Sequence, residues 1–137
     1  GIQAIVMGRH TFEVVLGFGQ WPFTKKVFVL SGGAVDLAPA LALGADVEQL
    51  NASPEEIVAQ LAVRGFDHLY IDGGATVQRF LRAGLIHRLI ITRVPVLIGQ
   101  GIPLFGALDR DIPLKLVASR SFPGGLVQSE YVRRVGG

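Results

Sequence analysis

The 137-residue sequence contains no cysteine, which excludes disulfide bonds, thiolate nucleophiles and cysteine-ligated zinc. Its histidines, His10, His68 and His87, lack metal-ligand spacing, so no histidine metal site is predicted. No apolar run approaches the ~20 residues that span a bilayer, and no signal-peptide pattern opens the chain. These absences favour a cytoplasmic protein without membrane contact.

The charge balance limits the choice of partner. The chain has 13 basic and 11 acidic residues, and the resulting formal charge of +2 is too small to favour nucleic acid. A small anionic ligand is compatible with this charge. Half of the residues are hydrophobic, which predicts a single domain over residues 1–137 with a substantial core.

Apolar runs broken by glycines predict strands that alternate with helices. The predicted strands are residues 2–7, 27–30, 47–50, 68–71 and 85–98, the last interrupted by a proline. A short helical turn is predicted at 12–16, and residues 34–52 are otherwise assigned to loops and weak turns. Longer helices run from the capping serine at 53 to Gly65 and from the glycines at 73–74 to Gly84.

Residues 114–119 and 126–132 form a predicted closing hairpin, because the Pro-Gly-Gly between them marks a turn. Strands separated by helices at the front and a hairpin at the back indicate an α/β fold. The prediction is a three-layer arrangement with a mostly parallel twisted sheet, flanking helices and an antiparallel C-terminal hairpin.

The stretch 71–81 places a buried strand directly before two glycines and an amphipathic helix. Glycines permit a sharp turn, and the first N–H groups of a helix have no intrahelical partner. The helix dipole adds roughly half a positive charge at that end. This turn from strand through glycine to helix, here called a corner, therefore favours a phosphate or pyrophosphate.

Similar glycine corners follow the predicted strands at Gly8 and Gly32. The carboxyl ends of strands in an open α/β sheet share one rim, where ligands bind. Each glycine alone is well explained as an ordinary strand end. The presence of three such corners favours a dinucleotide.

Charged side chains near the corners leave alternatives open. Arg9 and Thr11 are placed to meet a phosphate, but Arg9 is equally placed to pair with Glu13 four residues on. The candidate acids are Asp72, Asp109 and Asp111. Because Asp72 directly precedes the glycines, we expect it to hold the turn.

The commonest dinucleotide-binding fingerprint is absent. Gly99-Gln100-Gly101 would require a further glycine at the position of Leu104, and Pro103 disfavours a helix start there. A Rossmann domain is therefore not predicted.

Four segments carry a pattern found in one protein family: residues 5–13 (IVMGRHTFE), 29–31 (VLS), 70–74 (YIDGG) and 95–105 (PVLIGQGIPLF). Together they resemble the dihydrofolate reductase-like superfamily. Within it, the likeness is closest to the branch that contains the C-terminal reductase domain of riboflavin biosynthesis. The likeness covers nearly the whole chain, and all motifs occur in order.

This resemblance implies an NADPH-dependent oxidoreductase similar to dihydrofolate reductase and 5-amino-6-(5-phosphoribosylamino)uracil reductase. Such an enzyme passes a hydride to a pterin- or pyrimidine-type substrate, with riboflavin biosynthesis as the candidate pathway. The implied cofactor-binding residues are Gly8, Arg9, His10, Thr11, Leu30, Ser31, Gly32, Gly73, Gly74, Ala75, Thr76 and Val77. The implied substrate-cleft residues are Pro95, Leu97, Gly99 and Gly101.

Two departures from the family pattern keep alternatives open. Relatives begin with an additional central strand and an acidic loop, so we expect this domain to lack an N-terminal portion, and no catalytic residue is assigned. Where relatives commonly carry two acids, this chain has His87-Arg88.

The alternatives are a nucleotide-binding or regulatory module without turnover and a purely structural α/β domain. A homodimer through the hairpin or residues 85–98 is expected, because exposed apolar strands otherwise aggregate.

Overall fold

The computed structural model describes residues 2–93, 95, 97, 99–100, 108 and 110–134, which belong to two compact units, Gly1–Ala83 and Gly84–Gly137. The first unit contains β1 (Ala4–Gly8), α1 (Arg9–Leu16), β2 (Lys26–Leu30), α2 (Ala38–Ala42), β3 (Val47–Leu50), α3 (Pro54–Val63), β4 (Leu69–Asp72) and α4 (Gly74–Arg82). The second unit contains β5 (Arg88–Arg93), β6 (Leu114–Ser121) and β7 (Val127–Arg133).

The strands of the first unit form a parallel sheet in the order β3-β2-β1-β4. The two central strands are continuous apolar runs, as expected for strands covered on both faces. On one face of the sheet, strand and helix residues form a buried cluster: Ile5, Met7, Phe12, Val27, Val29, Ala40 and Val47. Because Phe12 comes from α1 and Ala40 from α2, this cluster fixes both helices on one face of the sheet.

The opposite face of the sheet contains Phe28, which is fully buried and meets the ring of Phe66 edge-on at a centroid distance of 5.4 Å. Ile57 and Leu61, on the apolar side of α3, are also fully buried. Burying side chains of this size contributes about 1.5–3 kcal/mol each. Strand β2 therefore contributes buried side chains to both faces of the sheet, Val27 and Val29 to one and Phe28 to the other.

The second unit is an antiparallel sheet in the order β5-β7-β6. A turn at Gly124 and Gly125, both with positive φ, joins β6 to β7. Within the described ranges, β5 pairs only with β7, and β4 of the first unit pairs only with β1. No helix in these ranges is long and apolar enough to cross a membrane.

The fold-class prediction is confirmed, because helices flank a parallel sheet and β6 and β7 form an antiparallel hairpin. Three details were wrong. Helix α1 starts at Arg9 rather than at residue 12, because Gly8 is already its N-cap. Helix α2 lies where only loops and weak turns were predicted. Strand β5 covers Arg88–Arg93, a shorter span than residues 85–98, and Pro95 follows two residues later.

The C-terminal end of α3 is tied to β3 by one ion pair. Arg64 donates two hydrogen bonds to the carboxylate of Glu48, at 2.7 and 3.0 Å, and its guanidinium lies 5.2 Å from the centre of the Phe28 ring. Lys26 is 3.6 Å from the same carboxylate. The hydrogen bonds from Arg64, with the positive charges of Arg64 and Lys26, lower the pKa of Glu48 against the opposing effect of burial.

The lowered pKa predicts how this pair responds to acid. Its stabilisation is complete above the ordinary carboxyl value of 4.5 and is lost as pH falls through the lower pKa of the folded protein. Since the pair is partly exposed, we expect Glu48→Gln to lower the free energy of unfolding by about 0.5–1 kcal/mol at neutral pH. Urea unfolding of Glu48→Gln, Arg64→Gln and the double variant should give a coupling energy that vanishes at acidic pH. A coupling energy that does not depend on pH would contradict this account.

Candidate functional site

The three predicted corners lie side by side at one edge of the parallel sheet. Gly8 at the end of β1 is in register with Leu30 at the end of β2, and Met7 is in register with Asp72 at the end of β4. The glycines that follow these strand ends therefore share the carboxyl rim.

The rim contains a topological switch point between β1 and β4. The chain moves from β1 outward through β2 to β3, and then returns to place β4 on the other side of β1. In open α/β sheets, the crevice at such a reversal is where ligands bind. The corners at Gly8 and Gly73 flank this point directly.

Two helices begin at the switch point without side-chain caps. Gly8 is the N-cap of α1, and Gly73 is the N-cap of α4, where it adopts φ 95° and ψ 132°. A residue with a Cβ is strained at such a positive φ, which accounts for the glycine. Because a glycine N-cap has no side chain with which to cap its helix, the first N–H groups and the positive dipole ends of both helices can face an anion at the rim.

The two corners share a Gly-x-x-Thr spacing, Gly8 to Thr11 and Gly73 to Thr76, and each threonine faces the glycine of the other corner. A Cβ on Gly8 would lie 2.8 Å from the Oγ1 of Thr76, and a Cβ on Gly73 would overlap the Oγ1 of Thr11. Thr76 is only 5% exposed. The corners therefore interlock, and the absent glycine side chains set the spacing of the two helix ends.

The third corner does not open a helix directly. After Leu30, the backbone N–H of Ser31 donates to the carbonyl of Leu50 at 3.2 Å. The Ser31 hydroxyl accepts a hydrogen bond from the N–H of Gly33 at 3.2 Å, closing a small turn. Gly32 is exposed, and no atom would crowd a Cβ placed on it. This corner therefore presents exposed backbone at Gly32 and Gly33, beside the other two corners.

Arg9 forms the ion pair that the sequence left as an alternative to phosphate binding. Its Nε lies 3.4 Å from the Oε1 of Glu13, and both side chains are more than half exposed. An exposed i,i+4 pair is worth about 0.3–0.5 kcal/mol. Of the other predicted cofactor residues, His10 and Ala75 are exposed and Val77 is half-buried.

Asp72 does not hold the turn as predicted, because none of the hydrogen bonds found among the described residues uses its carboxylate. The turn is made instead by Gly73 at positive φ. Asp72 is half-buried at the rim, and Tyr70 lies two residues earlier on the same face of β4. Burial, and secondarily the charge of Asp72, raise the pKa of the Tyr70 phenol. The sequence placed Asp72 before the glycines but did not show that its carboxylate makes no hydrogen bond to another described residue.

The predicted substrate-cleft residues belong to the second unit. Pro95, Leu97 and Gly99 are exposed, and Gly101 lies outside the described residues. Their assignment to a substrate cleft stays a prediction.

The interlock predicts that alanine is tolerated unequally at the three corners. Gly8→Ala should destabilise the protein by about 1–3 kcal/mol through overpacking against Thr76. Gly73→Ala should cost at least as much, because strain at positive φ is added. Gly32→Ala is the matched control and should change stability by less than about 0.5 kcal/mol. Thermal unfolding of the three variants measures these differences.

A second substitution separates the interlock from a general effect on the fold. Thr76→Ala removes the atom that a Cβ on Gly8 would meet, so Gly8→Ala should cost less in the Thr76→Ala background. Equal costs in both backgrounds would show that the threonine does not set the spacing.

Comparison with known proteins places this chain in a family. The RibD C-terminal domain family matches residues 1–128 of the chain. The uncharacterized protein YwjB of Bacillus subtilis is 31% identical over 134 residues, which cover 96% of this chain and 74% of YwjB.

Two solved structures extend the comparison. A proposed riboflavin biosynthesis protein from Shewanella sp. PV-4 is 39% identical, with a TM-score of 0.90 over 97% of this chain and 75% of that one. The diaminohydroxyphosphoribosylaminopyrimidine deaminase/5-amino-6-(5-phosphoribosylamino)uracil reductase of Thermotoga maritima is 16% identical, with a TM-score of 0.75 over 97% of this chain and 46% of that one. The second likeness shows the fold alone. The predicted resemblance to the riboflavin-biosynthesis branch of the dihydrofolate reductase-like fold is confirmed.

Proposed function

This chain belongs to the RibD C-terminal domain family, and on that premise we propose that it is an NADPH-dependent reductase acting on a pterin- or pyrimidine-type substrate, with riboflavin biosynthesis as the candidate pathway. The observation that carries this proposal is the pair of uncapped helix N-termini at the switch point. Family membership alone would not identify which residues of this chain meet a cofactor.

A diphosphate fits the paired helix ends. Gly73, Gly74 and Ala75 present backbone N–H groups with little side chain in the way, and Gly8 precedes the N–H groups of α1. Two dipole ends favour a group with more than one negative charge. In this proposal the α4 end holds the pyrophosphate, and the α1 end holds a second phosphate of the same cofactor.

Arg9 gives a physical reason for preferring NADPH to NADH. Its pairing with Glu13 is weak because both groups are exposed. A charge-assisted hydrogen bond to a phosphate is worth about 1.5–3 kcal/mol, so a 2′-phosphate beside Arg9 would outcompete the carboxylate. The Leu30-Ser31-Gly32 corner then lies along the adenosine.

The cofactor supplies the hydride, and the protein supplies orientation, electrostatics and a proton. Reduction of a double bond by hydride leaves an electron pair that must take up a proton. We extend the proposal to Asp72 as the group that relays this proton, because its half-buried carboxylate stands at the rim without a hydrogen-bond partner among the described residues. In this role the carboxylate takes up a proton from solvent and passes it to the substrate once in each turnover. Tyr70 shares its face of β4 and contributes to its surroundings.

The proposal also includes a cytoplasmic homodimer. The second unit supports it, because Ile90, Leu116 and Val117 are each about half exposed on its sheet. Exposed apolar strands of this kind are normally covered by another chain or kept short.

Cofactor titration tests the proposal directly. Isothermal titration should show NADPH binding more tightly than NADH. Arg9→Ala should weaken NADPH at least about tenfold and NADH less than about twofold, as expected for the loss of a charge-assisted bond. Glu13→Gln frees Arg9 and should tighten NADPH about twofold. Equal weak binding of both cofactors, or none, would refute the proposed function.

Asp72→Asn tests the proton-donor assignment. The amide keeps the size of the carboxylate but cannot supply a proton, so kcat should fall about 10²-fold or more while NADPH affinity changes little. Asp67→Asn, at an exposed acid that precedes β4, is the matched control. NADPH binding by the wild type without reduction of pterin or pyrimidine substrates would favour a binding module without turnover. Unchanged kcat in Asp72→Asn would refute the assignment.

A further inference from the structure

The loop that follows β2 is held in place along its length. Its entry is fixed by the hydrogen bond from the N–H of Ser31 to the carbonyl of Leu50. Its exit is fixed by Val35 and Leu37, which pack against the buried cluster on that face, and by the carboxylate of Asp36, which accepts a hydrogen bond from the N–H of Ala38 at 3.0 Å. Between these ends lie Gly32, Gly33 and Ala34, all exposed.

The middle of the loop is held by Gln49, a side chain from the neighbouring strand. Gln49 is the third residue of β3 and pairs in register with Val29 of β2. Its Nε2 donates to the carbonyl of Gly33 at 2.6 Å, and its Oε1 accepts from the N–H of Val35 at 3.2 Å. One carboxamide thus pairs with a carbonyl and an N–H two residues apart, as a neighbouring strand would.

The two glycines explain why such a clamp matters. Neither Gly32 nor Gly33 would meet any atom within 4 Å if it carried a Cβ, so packing does not restrain them. Glycine has more backbone freedom to lose than any other residue. If the 31–35 strip were free, a ligand would have to order it on binding, at a cost in affinity. Gln49 orders the strip before any ligand arrives.

We propose that Gln49 is a positioning residue for the adenosine side of the cofactor site, which holds the 31–35 strip in its binding conformation. This inference rests on the proposed function, since the strip is useful only if adenosine lies along it. The two hydrogen bonds of the Gln49 side chain both go to backbone groups of the strip. It therefore acts through the strip and not through the reacting groups.

The location of the strip predicts a particular kinetic signature. The adenosine is common to NADPH and NADH, so loss of the clamp should weaken both cofactors equally. This differs from the loss of Arg9, which should weaken NADPH much more than NADH. Because the strip lies at the adenosine end, the chemical step should be unaffected. A purely structural role would instead lower thermal stability without a selective effect on cofactor binding.

The first arm of the test examines the clamp in the free protein. In Gln49→Ala, hydrogen exchange of the Val35 amide should accelerate at least about tenfold, because its acceptor is removed. Gln60→Ala, at an exposed glutamine of α3, is the matched control and should leave this amide unchanged. Gln49→Glu retains the shape and acceptor but loses the donor to Gly33, and serves if the alanine variant does not fold. Unchanged exchange at Val35 in the folded variant would overturn the proposal.

The second arm measures function with NADPH and NADH as the probes. Gln49→Ala should raise the Kd and KM of both cofactors about tenfold, with kcat within about twofold of wild type and no change in the preference for NADPH. A wild-type protein that binds neither cofactor would overturn the proposed function and this inference with it. Normal wild-type binding that is unaltered in Gln49→Ala and Gln49→Glu would overturn this inference alone.

Discussion

The close approach of two glycine corners is the constraint on which the rest of the site depends. Strands β1 and β4 are neighbours, and each enters a helix without an intervening loop. Two helix ends can lie this close only if the turning residues carry no Cβ, since the opposing threonine hydroxyls occupy that space. The same absence of side chains leaves the N–H groups and dipoles of both ends facing the rim. The packing of the two corners and the anion binding that we propose for them therefore have one cause.

Much of this arrangement could be predicted because it is local. A buried apolar run followed by glycine and an amphipathic segment predicts a strand, a turn and a helix from neighbouring residues alone. The capping box at Ser53 and Glu56 is present as the sequence indicated, with both reciprocal hydrogen bonds formed. Helix α2 was missed because its five residues have little apolar periodicity, and Pro39 obscured the pattern. Strand β5 was predicted too long because aliphatic residues continue past the end of its pairing with β7.

The features that could not be predicted depend on contacts between distant residues. The Gly-x-x-Thr spacing occurs twice in the sequence, but only the register of β1 against β4 brings each threonine to the opposite glycine. Gln49 clamps a loop that lies 14 to 16 residues earlier, and no local pattern marks it. Asp72 has the right residue type for a turn, and only the hydrogen bonds among the described residues show that none of them uses its carboxylate for one. Local sequence patterns predicted which strand ends form the candidate site, but not the contacts that hold those strand ends together.

The central claim is that both corners bind one cofactor together. Amide chemical shifts followed by two-dimensional NMR during NADPH titration test this most directly, because they report on each corner separately. We predict that the amides of Gly8–Thr11 and Gly73–Val77 shift together, with a single dissociation constant and saturation at one NADPH per chain. If only one corner responds, or if the two saturate at different concentrations, the corners do not form a single cofactor site.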